Sequence, residues 1–510
     1  MKLKICIVNI FFLVVPLWLI GQPGDLDNGF GTMGFVNLDP AGSFNNNFYA
    51  MAIQSDGKII IAGQAAPNAI LMRLKNDGQL DETFGNNAIS LSHFEQNDTD
   101  GSFFTDIALS PNGKIIALCY SGKDFSNFVS MGLARFNGDE ILDNTFGQGG
   151  YVNTNLGALT ERGINLSIQS DGKIIVLART SVPNNFILSR YHDDGSLDTS
   201  FDNDGIKPIT SILTWFTSIA IQEDDKILLG GSKERTSNPQ IEDFALARLL
   251  PDGAIDQSFG SDGVASSEVY TDNNSRAANI LQLPNGKIIA IGSNGINLIK
   301  YNIDGKLDDS FGTGGIVSTQ IPNISSGGSS LIYQPDGKIV VGVNTFSNPV
   351  RDFALIRFLP NGDLDFEFGE NGISLTNTPA QENLLDIALQ SDGKILAGGH
   401  VQTKEFVLAR YLSGLDVGII DFSISNNQVF IYPNPVKETA TINYTLTQPD
   451  CISIHLHSYD GKLLYSFMQN LNRNIGEHSE VLNWPTALSS GQYLLTISSE
   501  TGRVGIKIIR

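Results

Sequence analysis

Two short motifs alternate along most of this chain, and each occurs seven times. The first reads Gln-Ser-Asp-Gly-Lys-Ile-Ile from Gln54 to Ile60, and its lysine recurs as Lys58, Lys114, Lys173, Lys226, Lys287, Lys338 and Lys394. The second reads Asp-Gly-x-Leu-Asp-x-x-Phe-Gly-x-x-Gly, and its phenylalanine recurs as Phe30, Phe84, Phe146, Phe201, Phe259, Phe311 and Phe368. The unit is ~56 residues from lysine to lysine, a period that belongs to propellers and solenoids rather than to one undivided core. Between the two motifs sits a third, Phe-x-Leu-x-Arg, as in Phe406-Val407-Leu408-Ala409-Arg410.

Each unit reads as four short strands. Leu385 to Leu389 alternates and meets the turn signal Ser391-Asp392-Gly393 before Lys394 to Gly398, which makes a hairpin. Phe406 to Tyr411 reads as a third strand and Gly372 to Leu375 as a fourth. Glycine at these turns accepts a positive φ that other residues resist. In the fourth unit Asp225 stands where glycine is expected, so that turn should be strained or of another type. The third strand is apolar on both faces, which suits a sheet packed between two others. Five residues after each motif lysine the chain usually carries a small residue: Gly63, Cys119, Ala178, Gly231, Gly292 and Gly399, with Val343 the exception. Small residues there would let inner strands crowd near an axis.

The chain ends carry the closing argument. Residues 24–34 supply a Leu-Asp-x-x-Phe-Gly half-unit with no first half, and residues 384–412 supply a first half with no ending. Together they make one unit, so the ring is expected to close through a blade drawn from both ends, which leaves no open sheet edge. The prediction is an all-β chain with a seven-bladed β-propeller over residues 22–412. Its repeat pattern resembles the Delta-60 type of bacterial β-propeller repeat across residues 24–416. That resemblance implies an architecture and no particular activity, because propellers host enzymes, sugar binders and docking platforms alike.

Beyond residue 412 the repeat stops. Residues 413–430 read as a linker and residues 431–510 as a small immunoglobulin-like β-sandwich. Its expected strands are Ala440 to Leu446, Cys451 to Tyr459, Leu463 to Met468, Gln492 to Ser498 and Val504 to Ile509. Tyr432-Pro433-Asn434-Pro435, then Ser490-Gly491-Gln492-Tyr493-Leu494, then the ending Lys507-Ile508-Ile509-Arg510 are similar to the type A C-terminal sorting domain of the type IX secretion system of Gram-negative bacteria. The resemblance implies that Tyr432, Pro433, Asn434, Pro435, Gly491, Tyr493, Lys507 and Arg510 form the sorting signal, with the secretion machinery as partner. It also implies a protein carried through the periplasm to the outer-membrane surface or the medium.

Residues 1–21 agree with export. Lys2 and Lys4 precede an apolar run from Ile5 to Ile20 that is short for a membrane span and interrupted by Asn9 and Pro16, so cleavage between Gly21 and Gln22 is expected. No later segment is apolar enough to span a bilayer. The formal net charge of −21 repels phosphate backbones and excludes nucleic acid as an expected partner. Three cysteines, Cys6, Cys119 and Cys451, are too few for a disulfide framework.

Motifs for chemistry are sparse. The six histidines form no His-Glu-x-x-His pair, and neither a Gly-x-Ser-x-Gly elbow nor a phosphate loop occurs. His455 and His457 share a strand face with no third ligand near them. Asp202-Asn203-Asp204-Gly205 could begin a calcium loop, but Leu213 stands where its last acidic ligand belongs. Asp202 and Asp204 are therefore a weak metal candidate, and no catalytic residue or cofactor is expected. Arg73, Arg135, Arg190, Arg248, Lys300, Arg357 and Arg410 end the third strands. They either line a channel or pair with the aspartates of neighbouring turns, and their repetition favours pairing. Phe44, Phe48-Tyr49, Phe103-Phe104 and Trp215-Phe216 lie outside the repeat positions, either exposed for stacking on a ligand or filling gaps between loops. The expected function is a non-catalytic surface module for adhesion or scaffolding that binds protein or glycan. The alternatives are a secreted hydrolase or lyase working in the central channel, and a self-assembling surface-layer component.

Overall fold

The computed structural model describes residues 21–510 apart from 41–45, 87, 93–100, 123–127, 139–140, 155, 157–160, 182–184, 210, 271–273, 293–294, 320, 322–327, 346–351, 377–381, 402–404, 416–429, 433–435, 447–449, 459–462, 486–487, 489–491 and 499–502. Alternating apolar runs broken by Asp-Gly turns give seven four-stranded antiparallel sheets. In blade 1 the strands are Asn46–Ile53, Ile59–Ala65, Asn68–Leu74 and Ile89–Ser92. The first strands of the other blades are Gly101–Leu109, Glu161–Ile168, Trp215–Ile221, Ala277–Gln282, Ser330–Tyr333 and Glu382–Leu389. Each touches the next in turn, and the seventh touches the first. The sheets therefore form a closed ring with the first strands innermost. Blade 7 takes its outer strand, Phe35–Leu38, from the start of the chain, where it pairs with Phe406–Tyr411. Closure through both ends completes blade 7, so that every blade presents only the short edge of its outer strand.

The small residue of each unit has a different cause from the one the sequence suggested. It lies on the second strand, not the innermost one, and it faces a β-bulge. The inner strand bulges between Phe48 and Ala50, Phe104 and Asp106, Gly163 and Asn165, Phe216 and Ser218, Ala277 and Asn279, and Leu384 and Asp386. Opposite the residue that opens each bulge sit Gly63, Cys119, Ala178, Gly231, Gly292 and Gly399. A Cβ on Gly63 would lie 2.2 Å from the Asn47 carbonyl oxygen, and one on Gly231 would lie 1.9 Å from that of Trp215. At Gly63, Gly231 and Gly399 the bulge turns a carbonyl into the space a side chain would take, whereas Cys119 and Ala178 carry small side chains and a Cβ on Gly292 would stay 3.8 Å from the Arg276 carbonyl oxygen. In blade 6 the paired inner strand begins with Ser330 opposite Gly342, so Val343 lies beyond the ladder.

Asp225 adopts the turn conformation of the glycines it replaces, with φ of 62° against 84° at Gly57. The turn is thus the same type and strained for a side chain. Its carboxylate accepts hydrogen bonds from Ser170 N and Ser170 Oγ in blade 3, and its carbonyl accepts one from Gln169 Nε2 at 3.0 Å. A glycine would lack the carboxylate bonds that tie blade 4 to blade 3.

The seven repeated phenylalanines are fully buried. Each of five sits under the Asp-Gly or Asn-Gly turn of the following blade: a Cβ on Gly78 would meet Phe30, one on Gly195 Phe146, one on Gly253 Phe201, one on Gly305 Phe259 and one on Gly362 Phe311. They are plugs between blades, each contributing roughly 1.5–3 kcal/mol of apolar burial.

The C-terminal unit is a two-sheet sandwich. One sheet holds Phe430–Tyr432, Thr439–Leu446 and Gly476–Asn483; the other holds Leu463–Arg473, Asp450–Ser458, Gln492–Ser498 and Arg503–Ile509. Ile442 and Tyr444 of the first share a core with Ile454, Leu456, Leu495 and Ile497 of the second. No helix among the described residues is long and apolar enough to cross a membrane.

Candidate functional site

Up-and-down connectivity gives the ring two faces. On one lie the turns joining first to second and third to fourth strands, which carry the repeated motifs. Here every blade has the same construction. In blade 6, Arg357 Nε donates to Asp365 Oδ2 at 2.7 Å, Lys338 Nζ stands 3.2 Å from the same oxygen, and the guanidinium lies 4.5 Å from the centre of the Phe368 ring. Arg357 Nη1 also donates to the Ser413 carbonyl in blade 7. The same arrangement joins Arg73, Lys58 and Asp81; Arg135, Lys114 and Asp143; Arg190, Lys173 and Asp198; and Arg248, Lys226 and Asp256. It recurs in Lys300, Lys287 and Asp308, and in Arg410, Lys394 and Asp27.

Each third-strand cation reaches a backbone carbonyl of the next blade, ending with Arg410 to Asn76 of blade 1. The repeated pairing is therefore within the blade, and the tie to the next blade runs mainly through carbonyls, with Arg135 adding an ion pair to Asp193 of blade 3 at 2.9 Å. Burial pushes the Asp81 carboxyl up, but hydrogen bonds from Thr83 and the charge of Arg73 outweigh it and hold the group at about 2. Asp198 and Asp308 are held at about 2 by the same balance. Sevenfold repetition and complete pairing make this face architecture.

The opposite face is built from the start of each inner strand and the end of the second strand, and no two blades match. Blade 1 places Asn47 opposite Gln64, with Asn47 Nδ2 donating to Gln64 Oε1 at 3.0 Å. Blade 2 stacks Phe103 on Tyr120 at 5.2 Å, both buried, with Tyr49 packed against them. Blade 3 sets Arg162 opposite Arg179, and blade 4 sets Trp215 opposite Ser232. Blade 5 brings Arg276. In blade 6 the amide of Asn344 bonds both the N–H and the carbonyl of Leu384, at 2.6 and 3.1 Å. Blade 7 pairs Asn383 with His400. Around Trp215, Arg179 stands 4.3 Å and Arg276 4.8 Å from the ring centre.

Deeper in the ring, the bulge positions place Asp106 and Asp386 where inner strands meet. Asp106 Oδ2 accepts from Leu166 N at 2.7 Å and from Asn165 Nδ2, both in blade 3. Asp386 accepts from Met51 N in blade 1 at 3.2 Å and from Ser330 Oγ in blade 6 at 3.1 Å. Burial pushes these carboxyls up to about 7 and about 6 despite the hydrogen bonds they accept, and Asp386 adds to the rise at Asp106.

The aromatic residues singled out in the sequence mostly fill space. Phe48, Phe104 and Phe216 are buried between blades and Phe103 is nearly so, while Tyr49 and Trp215 are half-buried; Phe44 lies outside the described residues. Asp202 pairs with Lys207 at 2.9 Å, and Asp204 caps Ile206 N at 2.9 Å. His455 and His457 hydrogen-bond Ser466 and Thr496. Among the described residues, no group of three or more His, Cys, Asp or Glu is placed to hold a metal ion. Gln22 N donates to Asp25 Oδ2, and Gly24 N to the Leu412 carbonyl, so the chain joins the ring directly after the expected cleavage point. Residues 1–20 lie outside the described residues.

Of the sorting residues, Tyr432 is 75% exposed on its strand, Tyr493 is buried 6.4 Å from the Trp484 ring, and Arg510 donates to the Pro485 carbonyl at 3.0 Å. Lys507 pairs with Leu494 through its backbone, and Pro433, Asn434, Pro435 and Gly491 lie outside the described residues. The unequal mouth residues were not identifiable from motifs; breaks in the repeat were their only signal.

Two family models match separate stretches of the chain. The family described as a domain of unknown function (DUF5122) beta-propeller matches residues 54–84, 169–201, 222–259, 283–311 and 334–368. The secretion system C-terminal sorting domain matches residues 430–510. Curated protein sequences give no match. Similar solved structures include Sqt1 from Chaetomium thermophilum, with 8% identity over 75% of this chain and 98% of that one and a TM-score of 0.43. The α-L-arabinofuranosidase Arb93A from Fusarium graminearum shares 11% identity over 63% of this chain and 95% of its own, with a TM-score of 0.38. A protein of unknown function from Dyadobacter fermentans shares 11% over 75% and 99%, with a TM-score of 0.37. The chain is thus a β-propeller repeat protein with a type IX sorting tail, which directs it to the cell surface or the extracellular space.

Proposed function

We propose that this exported propeller is a non-catalytic binding module that holds a glycan at the mouth of its central channel. One observation carries the reading: among the described residues the seven blades are alike on the turn face and vary from blade to blade on the mouth face. A residue needed for the fold recurs in every blade, whereas a ligand without sevenfold symmetry calls for unlike groups. Amides, an indole and guanidinium groups on a polar rim suit the hydroxyls and ring faces of sugars.

Asp106 and Asp386 favour a second reading, because two unrepeated carboxyls with raised pKa values are what a channel hydrolase would use. Their bonds to neighbouring inner strands support a structural role instead, as links between blades. The mature chain, residues 22–510, should be retained on at least one polysaccharide of an immobilised panel and should release no reducing sugar from it. Retention of none of them would overturn the binding reading, and sugar release abolished by Asp106→Asn would replace it with the enzyme.

A further inference from the structure

The first sheet of the C-terminal sandwich gives one side to the core and leaves the other open. Ala440, Ile442, Tyr444 and Leu446 of its central strand are buried, so Thr441 and Asn443 face outward by strand alternation. The ladder sets Tyr432, Thr441 and Val481 in one row across the three strands, with Asn443 beside Ser479 in the next row. Tyr432 is 75% and Val481 64% exposed. Ile431, not Tyr432, packs against the core, so the fold itself does not ask for a phenol there. Among the described residues the only charge on this side is Glu477, at the Thr445 end of the ladder, while Lys437 and Glu438 stand exposed just before Thr439 at the other end. A centre with an aromatic anchor and no charge, ringed by charged residues, is the anatomy of a protein–protein interface. The second sheet closes its outer side with its own groups: Thr496, which alternates with the core residues Leu495 and Ile497, is buried 3.1 Å from His457 Nε2.

We propose that the row Tyr432–Thr441–Val481 docks on an uncharged protein surface of the type IX secretion machinery, with the Tyr432 ring as its anchor. The sorting-domain family spans residues 430–510 and so takes in all three strands of this sheet. A charged partner would lose hydration on this side without gaining a counter-charge, so a phosphate-bearing membrane surface does not fit it. The assignment is independent of what the propeller mouth binds.

The test expresses the full chain in a bacterium that has the type IX system and measures it in periplasm, cell surface and medium. Tyr432→Ala and Val481→Lys should each cut the exported fraction about tenfold or more, leaving the chain in the periplasm. Melting temperatures of the purified variants should match the parent, because both side chains are exposed. Val481→Thr, similar in size and uncharged, should be exported normally. Leu471→Ser, 40% exposed on the second sheet, should be exported normally too. Parental export of both Tyr432→Ala and Val481→Lys would overturn the proposal, as would an equal loss of export in Leu471→Ser. A concentration-dependent dimer of the parent chain that Val481→Lys abolishes would assign the row to a second copy and overturn it as well. Export of a chain ending at residue 430 would overturn the sorting role itself, which is a separate failure.

Discussion

Arg357→Met should destabilise the propeller by about 3–5 kcal/mol, because it strips a buried carboxylate of its closest cation. Arg357 is 1% exposed, pairs with Asp365 at 2.7 Å, covers Phe368 and reaches the Ser413 carbonyl of the closing blade. Lys338 contacts the same aspartate from 3.2 Å with a side chain 23% exposed. Water screens that lysine, so Lys338→Met should cost about 1 kcal/mol or less. Replacing both partners, Arg357→Met with Asp365→Leu, should recover much of the loss, since no unpaired charge is left behind. Urea unfolding followed by circular dichroism reads all three. Equal costs for the arginine and the lysine would show that the inter-blade tie does not run through the third-strand cation.

The second large effect is a stability maximum in mild acid. Asp106 and Asp386 titrate near 7 and 6 in the folded chain and near the ordinary carboxylate value when unfolded. As pH falls from about 7 to about 4 the folded state takes up more protons than the unfolded state, so stability rises. Below about 4 the sign reverses. Asp81, Asp198 and Asp308 are held at about 2, and Asp27, Asp143, Asp256 and Asp365 also lie below the ordinary value. There the unfolded chain protonates first, and the stability these carboxylates contribute is lost as pH approaches their folded values. Spread over seven blades the loss amounts to several kcal/mol. Melting temperatures from pH 8 to 2 should rise, peak near 4 to 5 and then fall steeply. The double variant Asp106→Asn with Asp386→Asn should flatten the rise and spare the fall. A profile that climbs without a break toward pH 2 would contradict the assignment of the seven turn aspartates.

The architecture was legible because it repeats. Lys394 and Arg410 at one end, with Asp27 and Phe30 at the other, already contained the halves of one blade, and the structure joins them through Asp27. Position on the ring was harder to read. Gly231 looked like a crowding residue near the axis, yet its reason is a carbonyl thrown out by a bulge between Phe216 and Ser218. A bulge adds one residue to one strand and leaves no mark in composition. The same bulges explain why Phe48, Phe104 and Phe216, expected in loops, are inner-strand residues buried between blades.

In the sandwich, the strand Gly476–Asn483 escaped notice because its exposed and half-buried positions alternate among polar residues and only Leu482 is buried. The mouth was legible only in part: Trp215 stood out as an aromatic outside the repeat, but Arg179 and Arg276 carried no motif, and it is the packing of three successive blades that brings them to its ring.

The central claim is that the fold occupies the repeated face and recognition occupies the unrepeated one. The most direct measurement compares two triple variants of the full mature chain on the polysaccharide panel. One replaces Arg162, Trp215 and Asn383 at the mouth by alanine. The other replaces Ile141, Ile303 and Phe366, exposed by 60%, 56% and 70% on the turn face, by serine. Retention should vanish in the first and persist in the second, and the opposite pattern would place recognition on the turn face and contradict this account.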